Sequence, residues 1–358
     1  MKRAEFIRTK VGEYLDCVLP NPEIPGLGEM ARGKVRNSYS VQTSLGPVRV
    51  MVTSDRVSAF DVVLDRAIPF KGVVLNAIAQ HSFDEIKDLV DVAALPSLDM
   101  RVMIQREVEN IGVECVVRGY MWGSLAKEYE EGRREKCGNR LENGLLRYQR
   151  LMGPLFTPTT KAMQGHDEDI TLEDMADMLR TKNDHRGSLS FTRSVTNGIN
   201  DTSIRLYQRG QMRAEERGLF LLDTKYEWGY INGKMVVIDE VHTPDSSRYV
   251  EMREWEEKFP VIMEEMKRGE YATVTELLKV KPELKIKEMS KQVVRDVLLE
   301  QGFDGQSCKV PRLTDGQVIE TSARYIELYE KLIGREFEFE RYAQPFDAGN
   351  VREYVMGL

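Results

Sequence analysis

The chain has 358 residues, beyond the size at which a single hydrophobic core usually stops growing, so two lobes are expected. Its 41% hydrophobic and 30% charged content is that of an ordinary soluble globular protein, and a net charge of −7 argues against a general nucleic-acid or anionic-membrane binder. Four scattered cysteines (Cys17, Cys115, Cys137, Cys308) with no CxxC pair argue against structural zinc; with an N-terminus lacking an apolar signal core, they predict a cytoplasmic protein.

In chain order, a short N-terminal helix is expected before the Pro/Gly-rich entry at Pro20–Gly26. Alternation predicts strands over Lys34–Val41 and Val48–Thr53, with Gly46-Pro47 as the turn between them. Helical spacing marks Asn76–Val90. Strands at Arg101–Arg106 and Val113–Arg118 flank the turn signal Asn110-Ile111-Gly112, and a helix begins near Ser124. Residues 130–160, rich in Gly, Arg and Pro, read as loop. Ile170–Gln208 reads as helix broken around 183–190, a hairpin follows, and the chain from Glu251 is largely helical. Antiparallel strands with segregated helices predict an α+β fold, with lobes at 1–110 and 111–358.

Charged residues recur where such elements meet. Gly33-Lys34-Val35-Arg36 places two cations on one strand face beside a glycine, which suits a phosphate or, equally, a solvated face. Ser54–Asp61 reads as a polar loop, either across a cleft or as a turn satisfied locally. In Glu114–Tyr129 alternation puts Glu114, Val116 and Arg118 on one face, while Ser124 could cap the helix that follows. That corner is either an anion site or a structural bend with Arg118 paired to Glu114. His166, next to Asp167, Glu168 and Asp169, is either a metal or acid–base group or part of a helix entry, since Thr171-Leu172-Glu173-Asp174 resembles a capping box.

The richest stretch is Asp223–Arg248, a hairpin that embeds Lys225, Glu227, Asp239 and Glu240 among Leu, Tyr, Trp, Val and Ile. Charges in apolar strands are costly to desolvate unless they are paired or bind a metal. A two-residue turn at Asn232-Gly233 sets Glu227 opposite Ile238 and points Asp239 to the other face. A three-residue loop through Lys234 instead makes Glu227 and Asp239 cross-strand partners, and on this reading a shared Mg²⁺ requires that longer loop.

These blocks occur in an order that resembles the phosphoribosylaminoimidazole-succinocarboxamide synthase (SAICAR synthetase) family. The match is carried by Gly33–Tyr39, Ser54–Asp61, Glu114–Tyr120 with Gly123–Tyr129, Thr157–Ala162 with Gly165–Glu168, Asp223–Arg248, and more weakly Ser290–Asp296 and Thr321–Lys331. The resemblance implies a two-lobed fold related to ATP-grasp and protein-kinase-like architectures, with antiparallel sheets and flanking helices. It implies an ATP-dependent ligase of purine biosynthesis that joins L-aspartate to a phosphoribosyl aminoimidazole carboxylate, releasing ADP and phosphate through an acyl phosphate. By motif, Lys34 and Arg36 would hold ATP phosphates, with Arg106 to Asn110 beside the adenine. Glu227 and Asp239 would hold Mg²⁺. Arg118, Ser124, Lys225, Ser246, Ser247 and Arg248 would hold the imidazole nucleotide, with Lys225 and Arg118 as the catalytic pair. Asn37 stands where the family often has Asp, and Met289-Ser290-Lys291-Gln292 lacks the family's Phe-Asp. Residues 335–358 have no recognisable counterpart and are expected to serve as an oligomer contact or a lid. No His-Arg-Asp or Asp-Phe-Gly motif of a kinase is present.

Overall fold

The computed structural model describes residues 2–60, 62–161, 167–182, 189–289, 292–303, 305 and 310–358. In chain order the first part comprises α1 (Arg3–Glu13), β1 (Met30–Arg32), β2 (Arg36–Thr43), β3 (Gly46–Thr53), a ribbon of β4 (Ser58–Ala59) and β5 (Val62–Val63), α2 (Lys71–Ile86), β6 (Ala94–Leu95) and β7 (Val102–Arg106). Then come β8 (Glu109–Tyr120), α3 (Gly123–Glu130), a ribbon of β9 (Glu135–Lys136) and β10 (Asn139–Arg140), β11 (Arg150–Phe156), β12 (Thr159–Thr160), α4 (Leu172–Lys182) and α5 (Leu189–Glu215). The last part holds β13 (Leu219–Ile231), β14 (Lys234–Ile238), β15 (Ser247–Glu251), α6 (Met252–Lys267), α7 (Val274–Val280), α8 (Gln292–Glu300), α9 (Asp315–Ile333), α10 (Phe339–Tyr342) and α11 (Ala348–Met356).

Among the described residues the strands make two principal antiparallel sheets. One is five-stranded, ordered β1-β2-β3-β7-β6; the other is six-stranded, ordered β11-β8-β13-β14 with β12 on β8 and β15 on β13. The fold is therefore α+β, as the strand pattern predicts. Each sheet has one apolar and one polar face because its residues alternate. Tyr39, Val41, Val48, Val50, Val52, Val102 and Ile104 form the apolar face of the first sheet. On the second sheet Val113, Cys115, Val117, Tyr226 and Trp228 pack against Leu206, Tyr207 and Ala214 of α5. The polar faces look into a common cleft.

Several local expectations change. The β2–β3 turn is Ser44-Leu45, and Gly46-Pro47 already belongs to β3, where Pro47 pairs with Gln42. Proline fits there because β3 has just begun, so little pairing is lost. Strand β2 begins at Arg36, so Lys34 lies in the β1–β2 loop rather than on a strand face shared with Arg36. The segment 130–160 holds β9 to β12, with β11 and β12 completing the second sheet beside β8. Position 110, the expected lobe boundary, is the second residue of β8. The C-terminal segment, expected as an oligomer contact or lid, lays Val351 and Val355 of α11 on the apolar face of the five-stranded sheet. No helix among the described residues is long and apolar enough to cross a membrane.

Candidate active site

Strands β8 and β13 pair in a register that sets Glu227 beside Glu114, Lys225 beside Val116 and Asp223 beside Arg118. Alternation buries Cys115, Val117 and Tyr226 in the core, so the charged partners all face the cleft. The hairpin closes with the two-residue turn: Ile231 pairs with Lys234 and Glu227 with Ile238, and the three-residue loop is excluded. Asn232 (φ +50°) and Gly233 (φ +81°) both adopt left-handed conformations, as a type I′ hairpin requires.

Simple alternation would now send Asp239 to the opposite face. Instead β14 ends at Ile238 and Asp239 takes φ +64°, breaking the alternation; its side chain lines the same cavity as Glu227. The requirement for an odd loop is thus corrected. A left-handed residue past the strand end brings the carboxylates together. Each carboxyl is shifted by its surroundings, in opposite directions. Burial first, then the facing Asp239 charge, raises the Glu227 carboxyl above its ordinary range. Burial also works to raise Asp239, but Arg36, Lys225 and Lys161 outweigh it and hold that carboxyl below its usual range.

Cations compensate this acidic centre. Lys161 Nζ lies 2.5 Å from Glu227 Oε2, and Asn110 Nδ2 donates to the same oxygen at 3.1 Å. Arg36 pairs with Asp239 and, at 2.5 Å, with Glu240. Lys225 Nζ donates to Glu114 Oε1 at 2.6 Å and lies 3.8 Å from Glu227. Burial opposes the Lys225 charge, but Glu114, Glu227 and Asp239 together raise its pKa and keep it an ammonium. The cavity they line has a volume of about 630 Å³ and reaches Lys34, Arg106 and Asn110.

A second cavity of about 430 Å³ adjoins it, lined by Arg118, Asp223, Lys225, Ser246, Ser247 and Arg248 among others. Asp223 accepts from both arginines, at 3.2 Å from Arg118 and 2.8 Å from Arg248. Arg118 also donates to Thr157 Oγ1 at 2.9 Å, so it pairs with Asp223 rather than with Glu114. Asp245, in the turn that leads through Ser246 into β15, is held by the fully buried Lys71 (2.9 Å) and by the Tyr325 hydroxyl (2.8 Å). Gly123 holds φ +54°, and a Cβ there would stand 2.1 Å from Arg248 Nη1; the Arg248 guanidinium occupies the space that only glycine leaves.

Most of the sequence-derived candidates therefore converge: Lys34, Arg36, Arg106, Asn110, Glu227, Asp239 and Lys225 on the first cavity, and Arg118, Ser246, Ser247 and Arg248 on the second. Ser124 does not join them. It is the second residue of α3, whose N-cap is Trp122, so it neither caps that helix nor lines either cavity. His166 lies outside the described residues, while the capping box at Thr171 and Asp174 is formed, with reciprocal bonds of 3.2 and 2.8 Å. Sequence reasoning missed Lys161, Asp223 and Arg56. Arg56 is buried and donates to the carbonyls of Gly33 (3.0 Å), Lys34 (3.1 Å) and Pro20 (2.5 Å), bracing the β1–β2 loop. It also donates to Asn37 Oδ1 at 2.8 Å, while Asn37 donates to Pro22 O at 2.7 Å. An aspartate at 37 would keep the first contact and lose the second, which accounts for an amide at that position.

The comparisons with known proteins point to one family. The family model described as SAICAR synthetase matches residues 29–267. The phosphoribosylaminoimidazole-succinocarboxamide synthase of Cytophaga hutchinsonii is 41% identical over 324 residues, covering 90% of this chain and 93% of the relative. That of Bacteroides fragilis is 38% identical over 334 residues, covering 92% and 93%. Two solved structures share the fold. Saccharomyces cerevisiae SAICAR synthase complexed with SAICAR has a TM-score of 0.68 at 24% identity, covering 89% of this chain and 99% of that one. A SAICAR synthetase in complex with ADP has a TM-score of 0.58 at 18% identity, covering 87% and 100%. The chain belongs to the SAICAR synthetase family.

Proposed function

We propose that the two adjoining cavities are the nucleotide and substrate halves of one ligase site. The family reaction, which this chain performs, joins L-aspartate to 5-amino-1-(5-phosphoribosyl)imidazole-4-carboxylate, giving SAICAR, ADP and phosphate. The observation that carries the assignment of the halves is the convergence of Glu227 and Asp239 beside Lys34, Arg36 and Lys225, next to a pocket of paired arginines and serines.

A carboxylate is a poor acylating group, so the ATP γ-phosphoryl first activates it as an acyl phosphate, which the aspartate amine then attacks. Several negative charges meet in the first step, and preorganised cations facing them account for most of the acceleration. Lys34 and Arg36 gather the ATP phosphates, with the Arg106–Asn110 stretch beside the adenine. Arg118, Arg248, Ser246 and Ser247 hold the imidazole nucleotide; Lys225, which lines both cavities, stays protonated and orients the carboxylate under attack.

Among the described residues, no three His, Cys, Asp or Glu side chains gather as a self-sufficient metal cage. Two carboxylates on a nucleotide cleft nevertheless suit Mg²⁺, which takes few protein oxygens and completes its shell with water and phosphate. Glu227 and Asp239 would hold it. When bound, the ion supplies further neutralisation of phosphate charge.

Glu227→Gln and Asp239→Asn should each abolish aspartate-dependent ADP release, with an intact fold by circular dichroism and thermal melting. Full activity in both variants would overturn the assignment. Omitting each substrate in turn from the same coupled assay separates ligation from simple phosphorylation and from binding without turnover.

A further inference from the structure

The left-handed turn at Asp239 is not self-sustaining. A non-glycine residue at positive φ is disfavoured, and persists where surrounding contacts over-determine it. Here those contacts come from the other sheet. Gln105, on the interior strand β7, is buried at 4% exposure, and its backbone is flanked on both sides by β3 and β6. Its amide grips the Asp239 main chain twice: Oε1 accepts from Asp239 N–H at 3.1 Å, and Nε2 donates to Asp239 O at 3.0 Å. The surrounding backbone is stitched the same way. Ala93 N–H donates to Val237 O at 3.0 Å, and Val237 N–H to Asp91 O at 3.1 Å.

We propose that Gln105 is a positioning residue: its paired amide hydrogen bonds hold Asp239 in the turned conformation that brings its carboxylate onto the Glu227 side of the cleft. The inference rests on the reading of Glu227 and Asp239 as the Mg²⁺ ligands. It adds that one ligand of the pair is aimed by the sheet that does not carry it. Glu227 needs no such help, because its place follows from strand register alone. Freed from the clamp, Asp239 can relax to an extended backbone, which by alternation swings its side chain away from Glu227. Arg36, which pairs with the Asp239 carboxylate, steadies the side chain but leaves the main chain unconstrained.

The test uses the full-length protein with ADP, reading Mn²⁺ binding by electron paramagnetic resonance and folding by thermal melting. Gln105→Met keeps the volume and removes both hydrogen bonds; Gln105→Asn keeps an amide one methylene short of the main chain. Both should bind Mn²⁺ at least tenfold more weakly than wild type. Their activity should recover towards wild type as Mg²⁺ is raised, whereas Asp239→Asn should stay inactive at any Mg²⁺ concentration and lose Mn²⁺ binding. If Gln105→Met does not fold, the Mn²⁺ affinity of Gln105→Asn decides the question. Wild-type Mn²⁺ affinity in the folded Gln105 variant, with binding lost in Asp239→Asn, overturns the clamp alone. Undiminished Mn²⁺ binding in Asp239→Asn overturns the metal reading and the clamp with it.

Discussion

At the scale of single residues, part of the site is made of charges that strand alternation places on the cleft face. Glu114, Arg118, Lys225 and Glu227 fall on cleft-facing positions of β8 and β13 because their neighbours are apolar. Lys161 and Arg56 gave no such sign, being isolated cations in polar loops whose partners are distant in sequence. Gly123 shows how narrowly one position can constrain a charge. A methyl group there collides with Arg248, so Gly123→Ala should displace the guanidinium and raise the KM for the imidazole nucleotide about tenfold, the value of one charge-assisted hydrogen bond. Steady-state kinetics with each substrate varied would check it; an unchanged KM for that nucleotide would remove Arg248 from substrate binding.

At the scale of elements, β2, β3, β7, β8 and the β13–β14 hairpin were readable, while β9 to β12, in a stretch read as loop, and the β8–β13 pairing that builds the site were not. The Asn232-Gly233 pair allowed the two-residue turn that forms, but the carboxylates were expected to meet only across a three-residue loop; the position of Asp239 depends instead on a backbone departure after β14 that no local pattern announces. On the proposed assignment the turn is structural and the departure functional. Gly233→Ala, placing a side chain at φ +81°, should cost on the order of 1 kcal/mol of stability and leave kcat/KM unchanged. Urea unfolding read beside the coupled assay would test both halves. The docking of α11 was equally invisible, because its apolar residues complement a sheet far earlier in the chain. Val351→Ala and Val355→Ala should each cost on the order of 1–2 kcal/mol, measured as a lowered urea midpoint.

At the scale of the whole molecule, two buried groups oppose each other in acid. Burial depresses His242 to about 3; it stands 2.7 Å from the Tyr226 hydroxyl. The unfolded chain takes up that proton near pH 6.5, so His242 lowers stability as pH falls below that value. Asp55, bonded to the Leu19 and Gly72 amides, is raised by burial to about 6. Its folded form protonates before its unfolded form, so it adds stability as pH falls from about 6 towards 4. Between those limits each contributes up to about 1.4 kcal/mol per pH unit, with opposite sign. Relative to wild type, His242→Gln should gain stability with acidification across this window and Asp55→Asn should lose it. Denaturant titrations at a series of pH values would show the diverging slopes, and parallel curves would refute the assignment. None of this was legible in composition, since it depends on which polar groups the fold encloses.

Lys34, Glu114, Asp167, Lys225 and Asp245 line both cavities, so on the proposed assignment the nucleotide and substrate halves are rooms with a common wall. A mixed anhydride formed across that wall is born beside its next partner and shielded from hydrolysis, with ADP still in the neighbouring room. The forward step can then reverse many times before anything leaves. ATP labelled with heavy oxygen in its β,γ bridge should scramble that label into the β non-bridging positions when aspartate is withheld, turning a shared wall into an isotopic memory of an intermediate that never reaches solution.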